Sequence, residues 1–392
     1  MASGEKISLS STSNPKLQLL IPSLFQAKGG IQVFSSFLLT AIAEIYPQAQ
    51  VQICLKHDTQ TLDSNLALAL SPTYSCAGNY PPQLRTLAYS TQIITTAWRS
   101  RPDLIIATHL NFGPVALALK HTQGIPYWLI AHGIDAWQIT NPLLKLALAQ
   151  ADRILAVSDF TRDRLIAEQH LNPSKIHILP NTFDHQRFTL APKPLNLLTK
   201  YQIPADRQII LTVARLDQSE QYKGYRQVIR LMPQLLHQLP NLHYLIVGQG
   251  SDLEPIRALI ASLDLTDRVT LTGYVSDQEL PAHYQLCDLF IMPSKGEGFG
   301  IVFLEALATG KPTIGGNQDG SVTALNQGEL GILVNPDNID QIAAAIVDTL
   351  KGNHPLSILY QPELMRQKVI ETYGFAQFKA RLSLIFTEQF SN

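Results

Sequence analysis

The chain has 392 residues, 45% hydrophobic and 16% charged, with 30 basic against 31 acidic side chains and a formal net charge of −1. That length suggests two domains, each large enough to bury a core without a disulfide staple or structural metal. Balanced charge excludes a strongly basic nucleic-acid footprint, and the apolar content excludes a mainly disordered chain.

Met1 to Asn14 is rich in Ser and Thr and lacks the apolar run of a signal peptide. No apolar stretch reaches the 18 or so residues of a membrane span. The three cysteines are irregularly spaced, with Cys54 and Cys287 in apolar strand-like runs. Reduced thiols, no zinc site and a cytoplasmic protein are expected.

Short apolar runs then alternate with segments of helical period. Strands are expected at 17–21, 51–55, 103–107, 127–131, 153–157 and 176–179, and again at 208–213, 242–247, 269–272, 289–292 and 311–314. Helices are expected at 31–45, 160–169, 225–239, 252–263, 301–309 and 339–350. Segment 141–150 reads as a core helix, with a lipid-facing helix and weak peripheral membrane association as the alternative. Buried strands separated by helices predict an α/β protein built on doubly wound parallel sheets. The alternation stalls between Asp184 and Arg207, around Pro192, Pro194 and Pro204. This divides the chain into residues 15–190 and 191–373, followed by a C-terminal helix at about 374–392. In such sheets ligands bind at the carboxyl ends of the strands, so chemistry is expected in a cleft between the two domains.

The most informative segment runs from Pro293 to Pro312. A strand ends at Met292, Gly296, Gly298 and Gly300 follow at alternate positions, and a helix begins near Gly300. Glycines there let backbone N–H groups approach a ligand at a helix N-terminus. An ordinary tight turn with a capping glutamate would show the same local pattern. Glu297 lies in the loop and Glu305 two turns into the helix.

Glu297 and Glu305 around Gly-Phe-Gly resemble the paired-glutamate motif of retaining glycosyltransferases of family four. The resemblance covers most of the chain in order: Gly29-Gly30, Ala131-His132-Gly133-Ile134-Asp135, Val157-Ser158-Asp159-Phe160-Thr161, Leu179-Pro180-Asn181-Thr182-Phe183-Asp184, Val213-Ala214-Arg215-Leu216 with Lys223-Gly224, Val247-Gly248-Gln249-Gly250, and Leu271-Thr272-Gly273-Tyr274-Val275. It implies the GT-B fold, in which two Rossmann-like domains face a central cleft. It also implies transfer of a hexosyl group from a nucleotide-diphosphate sugar, a UDP- or GDP-sugar, to an unidentified acceptor with retention.

By the same resemblance Glu297 would hydrogen-bond sugar hydroxyls with backbone N–H groups of Gly298, Phe299, Gly300 and Ile301. Glu305 would hold the ribose diol, and Gly29 and Gly30 would approach the donor. Arg215 and Lys223 would offer a guanidinium fork and an ammonium to the diphosphate. His132 would stand beside the reacting sugar, and His109 could line the acceptor side. No Asp-x-Asp motif occurs in the sequence, so neither a metal nor a cofactor is expected. Acceptor-reading loops are expected in 56–89.

The pattern departs from the family at Thr323, where Glu is usual, at Lys295 and at Thr182. A sugar-nucleotide epimerase or phosphorylase of the same architecture is the alternative. A nicotinamide-dependent oxidoreductase would need a complete Gly-x-Gly-x-x-Gly after the first strand, and Gln26-Ala-Lys-Gly-Gly-Ile31 lacks it.

Overall fold

The computed structural model describes residues 14–26, 29–59 and 70–390. The expected start of the chain, two residues of the first glycine loop, part of the acceptor-loop region and the last two residues of the C-terminal helix lie outside them.

The first sheet is wholly parallel, in the order β3-β2-β1-β4-β5-β6-β7. Its strands are β1 Lys16–Ile21, β2 Gln50–Leu55, β3 Thr73–Cys76, β4 Leu104–Ala107, β5 Tyr127–Ala131, β6 Arg153–Ala156 and β7 Ile176–Ile178. The second sheet, also parallel, has the order β10-β9-β8-β11-β12-β13. It contains β8 Gln208–Val213, β9 Leu242–Val247, β10 Val269–Leu271, β11 Leu289–Met292, β12 Thr313–Gly316 and β13 Ile332–Val334. Both orders reverse once, between β1 and β4 and between β8 and β11. A crevice opens at each reversal beyond the strand ends.

All eleven expected strands are present, with shifts of a few residues at their ends. Two more, β3 and β13, complete the sheets at their edges. Cys287 is not in a strand: it caps the helix Leu280–Leu286, two residues before β11. The connection between sheets contains a short helix, Leu195–Lys200.

The C-terminal helix Phe375–Phe390 packs back on the first sheet's side of the molecule. Its Phe378 meets Phe34 edge-on at 5.6 Å, and Phe386 meets Trp128 at 4.9 Å. Gln389 accepts from the Trp128 indole at 3.1 Å, and Lys379 pairs with Glu44 at 2.6 Å. One continuous apolar cluster therefore joins the first sheet to Phe299, Phe303, Met365 and Phe386.

Arg366, on the helix Pro362–Tyr373, fastens this arrangement. Its guanidinium donates to the carbonyls of Phe188, of Ala308 at 2.7 Å and of His185 at 2.6 Å. It thus ties the interdomain connection to the second domain. Arg366→Ala leaves these half-buried carbonyls short of a charged donor and is expected to cost about 3 kcal/mol. A thermal melt should show this as a drop of several degrees; an unchanged midpoint would exclude the role.

Candidate functional site

A cleft of about 660 Å³ lies where the two crevices face each other. Its first-domain wall includes Gly29, Gly30, Gln32, His132 and Asn181, and its second-domain wall includes Arg215, Glu220, Lys223, Tyr274, Glu297, Phe299, Gly300, Ile301 and Glu305.

On the second domain the reversal between β8 and β11 sets the geometry. Arg215 leaves the end of β8, and the turn Gln218–Lys223 brings a carboxylate and an ammonium back beneath it. Glu220 bridges both cations, 2.9 Å from the Arg215 guanidinium and 3.6 Å from Lys223 Nζ. Lys223 Nζ also donates to Glu297 at 2.8 Å. Burial disfavours the Lys223 charge, but Glu297, Tyr222 and Glu220 outweigh it and hold its pKa above the ordinary lysine range. The ammonium is permanently charged, and the four side chains sum to zero charge.

The glycine loop after β11 is held by Asp319, which is fully buried. Asp319 accepts from the Glu297 N–H at 2.8 Å, the Ser294 hydroxyl at 2.7 Å and the Ser321 N–H at 2.9 Å. Gly300, at φ 89°, turns the chain into the helix Ile301–Ala308, a conformation that favours glycine. The Phe303 N–H bonds back to the Gly300 carbonyl at 3.1 Å, and Ile301 and Val302, at the very start of the helix, line the cleft. Glu305 lies just over one turn into the helix rather than two. The Tyr284 hydroxyl donates to it at 2.7 Å. Burial raises its carboxyl to about 7, against the pull of that hydrogen bond and of Arg187.

On the first domain, His132 leaves the end of β5. Its Nε2 lies 3.0 Å from the Thr108 carbonyl, which fixes that nitrogen as the donor. Phe34 packs against the ring edge-on at 5.0 Å. Burial lowers the imidazole pKa to about 4, so the ring is neutral near pH 7. Asp135 receives the His132 backbone N–H at 3.0 Å, and burial raises its own pKa to about 7.

The two walls meet at a pair of glycines. A Cβ on Gly298 would lie 1.7 Å from the His132 carbonyl oxygen, and one on Gly133 would lie 2.5 Å from Gly298 Cα. Gly298 therefore serves as the contact between domains and is not part of the cleft wall. Across the opening, a Cβ on Gly29 would sit 3.8 Å from the Arg215 guanidinium.

The structure thus gathers His132, Arg215, Lys223, Glu297, Glu305, Gly29, Gly30, Phe299, Gly300 and Ile301 around one space. It does not bring His109 there. That side chain accepts from the Asn111 N–H at 3.2 Å and packs against Phe112. Sequence reasoning passed over Glu220 and Arg187 and met Asn181 only within the Pro-Asn corner, with no role assigned; the acid three residues before Lys223 was the one usable signal for Glu220. Two departures from the family pattern have partners: Thr323 accepts from the Asp159 N–H at 3.2 Å across the domains, and Lys295 pairs with Asp337 at 2.7 Å. Thr182 is buried, and its hydroxyl has no hydrogen-bond partner.

Residues 38–187 match the model of Glycosyltransferase Family 4, and residues 196–363 match that of Glycosyl transferases group 1. The GDP-mannose-dependent alpha-(1-6)-phosphatidylinositol monomannoside mannosyltransferase of Mycobacterium tuberculosis is 32% identical over 266 residues, 66% of this chain and 67% of its own. The 2-deoxystreptamine glucosyltransferase of Streptomyces kanamyceticus is 26% identical over 298 residues, covering 70% and 75%. Among solved structures, sucrose-phosphate synthase from Thermosynechococcus elongatus has a TM-score of 0.78 at 20% identity, over 96% of this chain and 99% of that one. Anabaena HepE in complex with UDP gives 0.75 at 19%, over 95% and 100%. The structural likeness establishes the GT-B fold. Both halves carry the family's models on that fold, and the chain belongs to the family-four glycosyltransferases, enzymes of the hexosyltransferase type.

Proposed function

We propose that the protein transfers a hexosyl group from a UDP- or GDP-sugar to an acceptor hydroxyl, with retention of anomeric configuration and without a metal ion. The observation that carries this reading is the placing of Arg215 and Lys223, with Glu297 and Glu305, on one wall of the interdomain cleft. The relatives named above act on GDP-mannose or carry glucosyl in their names, and one structural neighbour was solved with UDP. A donor of that class fits the wall: diphosphate on the two cations, ribose diol on Glu305, sugar hydroxyls on Glu297.

Glu220 neutralises the cations before a donor arrives, and the diphosphate takes its place on Arg215. Bond cleavage builds charge on the leaving diphosphate, which the fixed cations stabilise without reorganising. Acceptor deprotonation then decides the stereochemical course. Among the described residues, the first-domain wall carries no carboxylate, and His132, at about 4, is a weak base. The leaving diphosphate oxygen is the strongest base beside the reacting carbon. It takes the acceptor proton on the face from which it departs, so the acceptor bonds on that same face. The Nδ1 of His132 remains an acceptor for a sugar hydroxyl.

Slow hydrolysis of the donor, followed by proton NMR, tests this course. The first sugar released should have the donor's own anomeric configuration. Release of the opposite anomer would overturn retention, and interconversion of the nucleotide sugar without release would favour an epimerase.

Glu305 adds a pH dependence. Its carboxyl must be ionised to accept both ribose hydroxyls, and its pKa of about 7 means a proton must leave on binding at lower pH. Donor affinity should therefore rise with pH through 7 and fall by up to about tenfold per unit below it. The pyrophosphate diester of a nucleotide sugar does not titrate in that range. Calorimetry between pH 6 and 8 should show the slope in the wild type and lose it in Glu305→Gln.

A further inference from the structure

Three helices, Pro82–Ser100, Gly113–Gln123 and Pro142–Gln150, lie side by side on one face of the first sheet. The first buries Tyr89, Ile93 and Ala97 against the strands. A helix so placed ordinarily presents polar residues on its opposite side. Here that side carries Leu84, Leu87, Ile94 and Trp98, a stripe at spacings of three, seven and four along a helix about 28 Å long. Leu87 is 68% exposed and Trp98 62%. Leu143 and Leu146 on the third helix are exposed as well. Six of the fourteen large hydrophobic residues exposed among the described residues lie on these three helices, a concentration and not scatter.

Charge on this face is one-sided. The three helices contain Arg85, Arg99, Lys120 and Lys145 and no carboxylate, and Arg101 follows directly. Lys120 pairs with Asp152, and Arg85 donates to the carbonyls of Gly78 and Tyr80. Asp103 is engaged by the Lys16 N–H. Arg99, Arg101 and Lys145 stay exposed beside the apolar stripe. The chain's net charge of −1 therefore conceals a local positive field.

We propose that this face docks on an anionic lipid bilayer. Leu84, Leu87, Ile94 and Trp98 enter the headgroup boundary, and Arg99, Arg101 and Lys145 meet lipid phosphates. Apolar side chains with an indole and flanking cations are the chemistry of an interfacial helix. A second copy of the chain is a poorer occupant, because a symmetric contact would set these cations against one another with no carboxylate on the helices to answer them. The surface is separate from the donor cleft, so its test stands apart from the donor reading.

The test is flotation of the full chain with vesicles of phosphatidylcholine, with and without phosphatidylglycerol. Binding is expected only to the anionic vesicles and should weaken in high salt. The double variant Leu87→Ser with Trp98→Ser should lower binding at least tenfold, and Arg99→Gln with Arg101→Gln by roughly fivefold per cation. All these side chains are exposed, and unchanged melting temperatures would show that the variants fold. No flotation, equal flotation with neutral vesicles, or flotation indifferent to both variants would overturn the proposal. So would sedimentation showing a wild-type dimer that the leucine–tryptophan variant breaks.

Discussion

Lys223→Ala is expected to lower turnover of the donor by about 100-fold or more while also weakening donor binding. Its ammonium is the more enclosed of the two cleft cations, at 13% exposure against 58% for Arg215. The substitution removes charge from the position where the diphosphate develops it, and it leaves Glu297 beside Glu220 with no cation of its own, Arg215 remaining on Glu220. Repulsion between those carboxylates adds a structural cost, reduced by their partial exposure to about 2 kcal/mol. The two effects separate experimentally. Lys223→Arg restores positive charge and should recover most of the melting temperature, but it recovers turnover only in part because the guanidinium is larger and planar. Turnover by Lys223→Ala equal to the wild type would remove the diphosphate role.

Gly298→Ala is expected to be nearly as damaging, for a different reason. The added methyl would collide with the His132 carbonyl oxygen, 1.7 Å away and on the other domain. Ordinary contact needs roughly twice that distance, so the domains must part by more than 1 Å. A displacement of that size costs on the order of 100-fold in a reaction that depends on the approach of two groups. Arg215, Lys223 and Glu305 all stand on the second domain, so nucleotide binding should persist. Calorimetry and turnover together check this: binding kept and turnover lost is the expected pair, and turnover kept would mean that the closed contact is dispensable.

Much of this arrangement was legible in the sequence because parallel strands buried on both faces leave continuous apolar runs. The runs missed were those without that property. Thr73–Cys76 is a half-exposed edge strand, and Ile332–Val334 is three residues long. The helix Pro82–Ser100 was not expected, although Tyr89, Ile93 and Ala97 recur along it at the helical spacing of four.

For the site, the glycine loop, Arg215, Lys223 and His132 stood out by their places after strand ends, and the resemblance to the glycosyltransferase family singled out Glu297 and Glu305. Glu220 carried one signal, an acid three residues before Lys223, but its place between two cations comes from the shape of a polar turn. The burial of Asp319 beneath the loop and the glycine contact between domains are likewise products of tertiary packing. His109 shows the converse: a strand-end position is no guarantee of facing the cleft, since its side chain turns back to cap Asn111.

In the proposed reaction a nucleotide diphosphate binds Arg215 and Lys223 in the cleft. The most direct measurement is calorimetric titration of UDP-, GDP- and ADP-sugars, with a chelator present, into the wild type and Lys223→Ala. One nucleotide class should bind the wild type at one site per chain, and the variant should bind it at least tenfold more weakly. Binding of none of the three, or equal binding by the two proteins, would contradict the account.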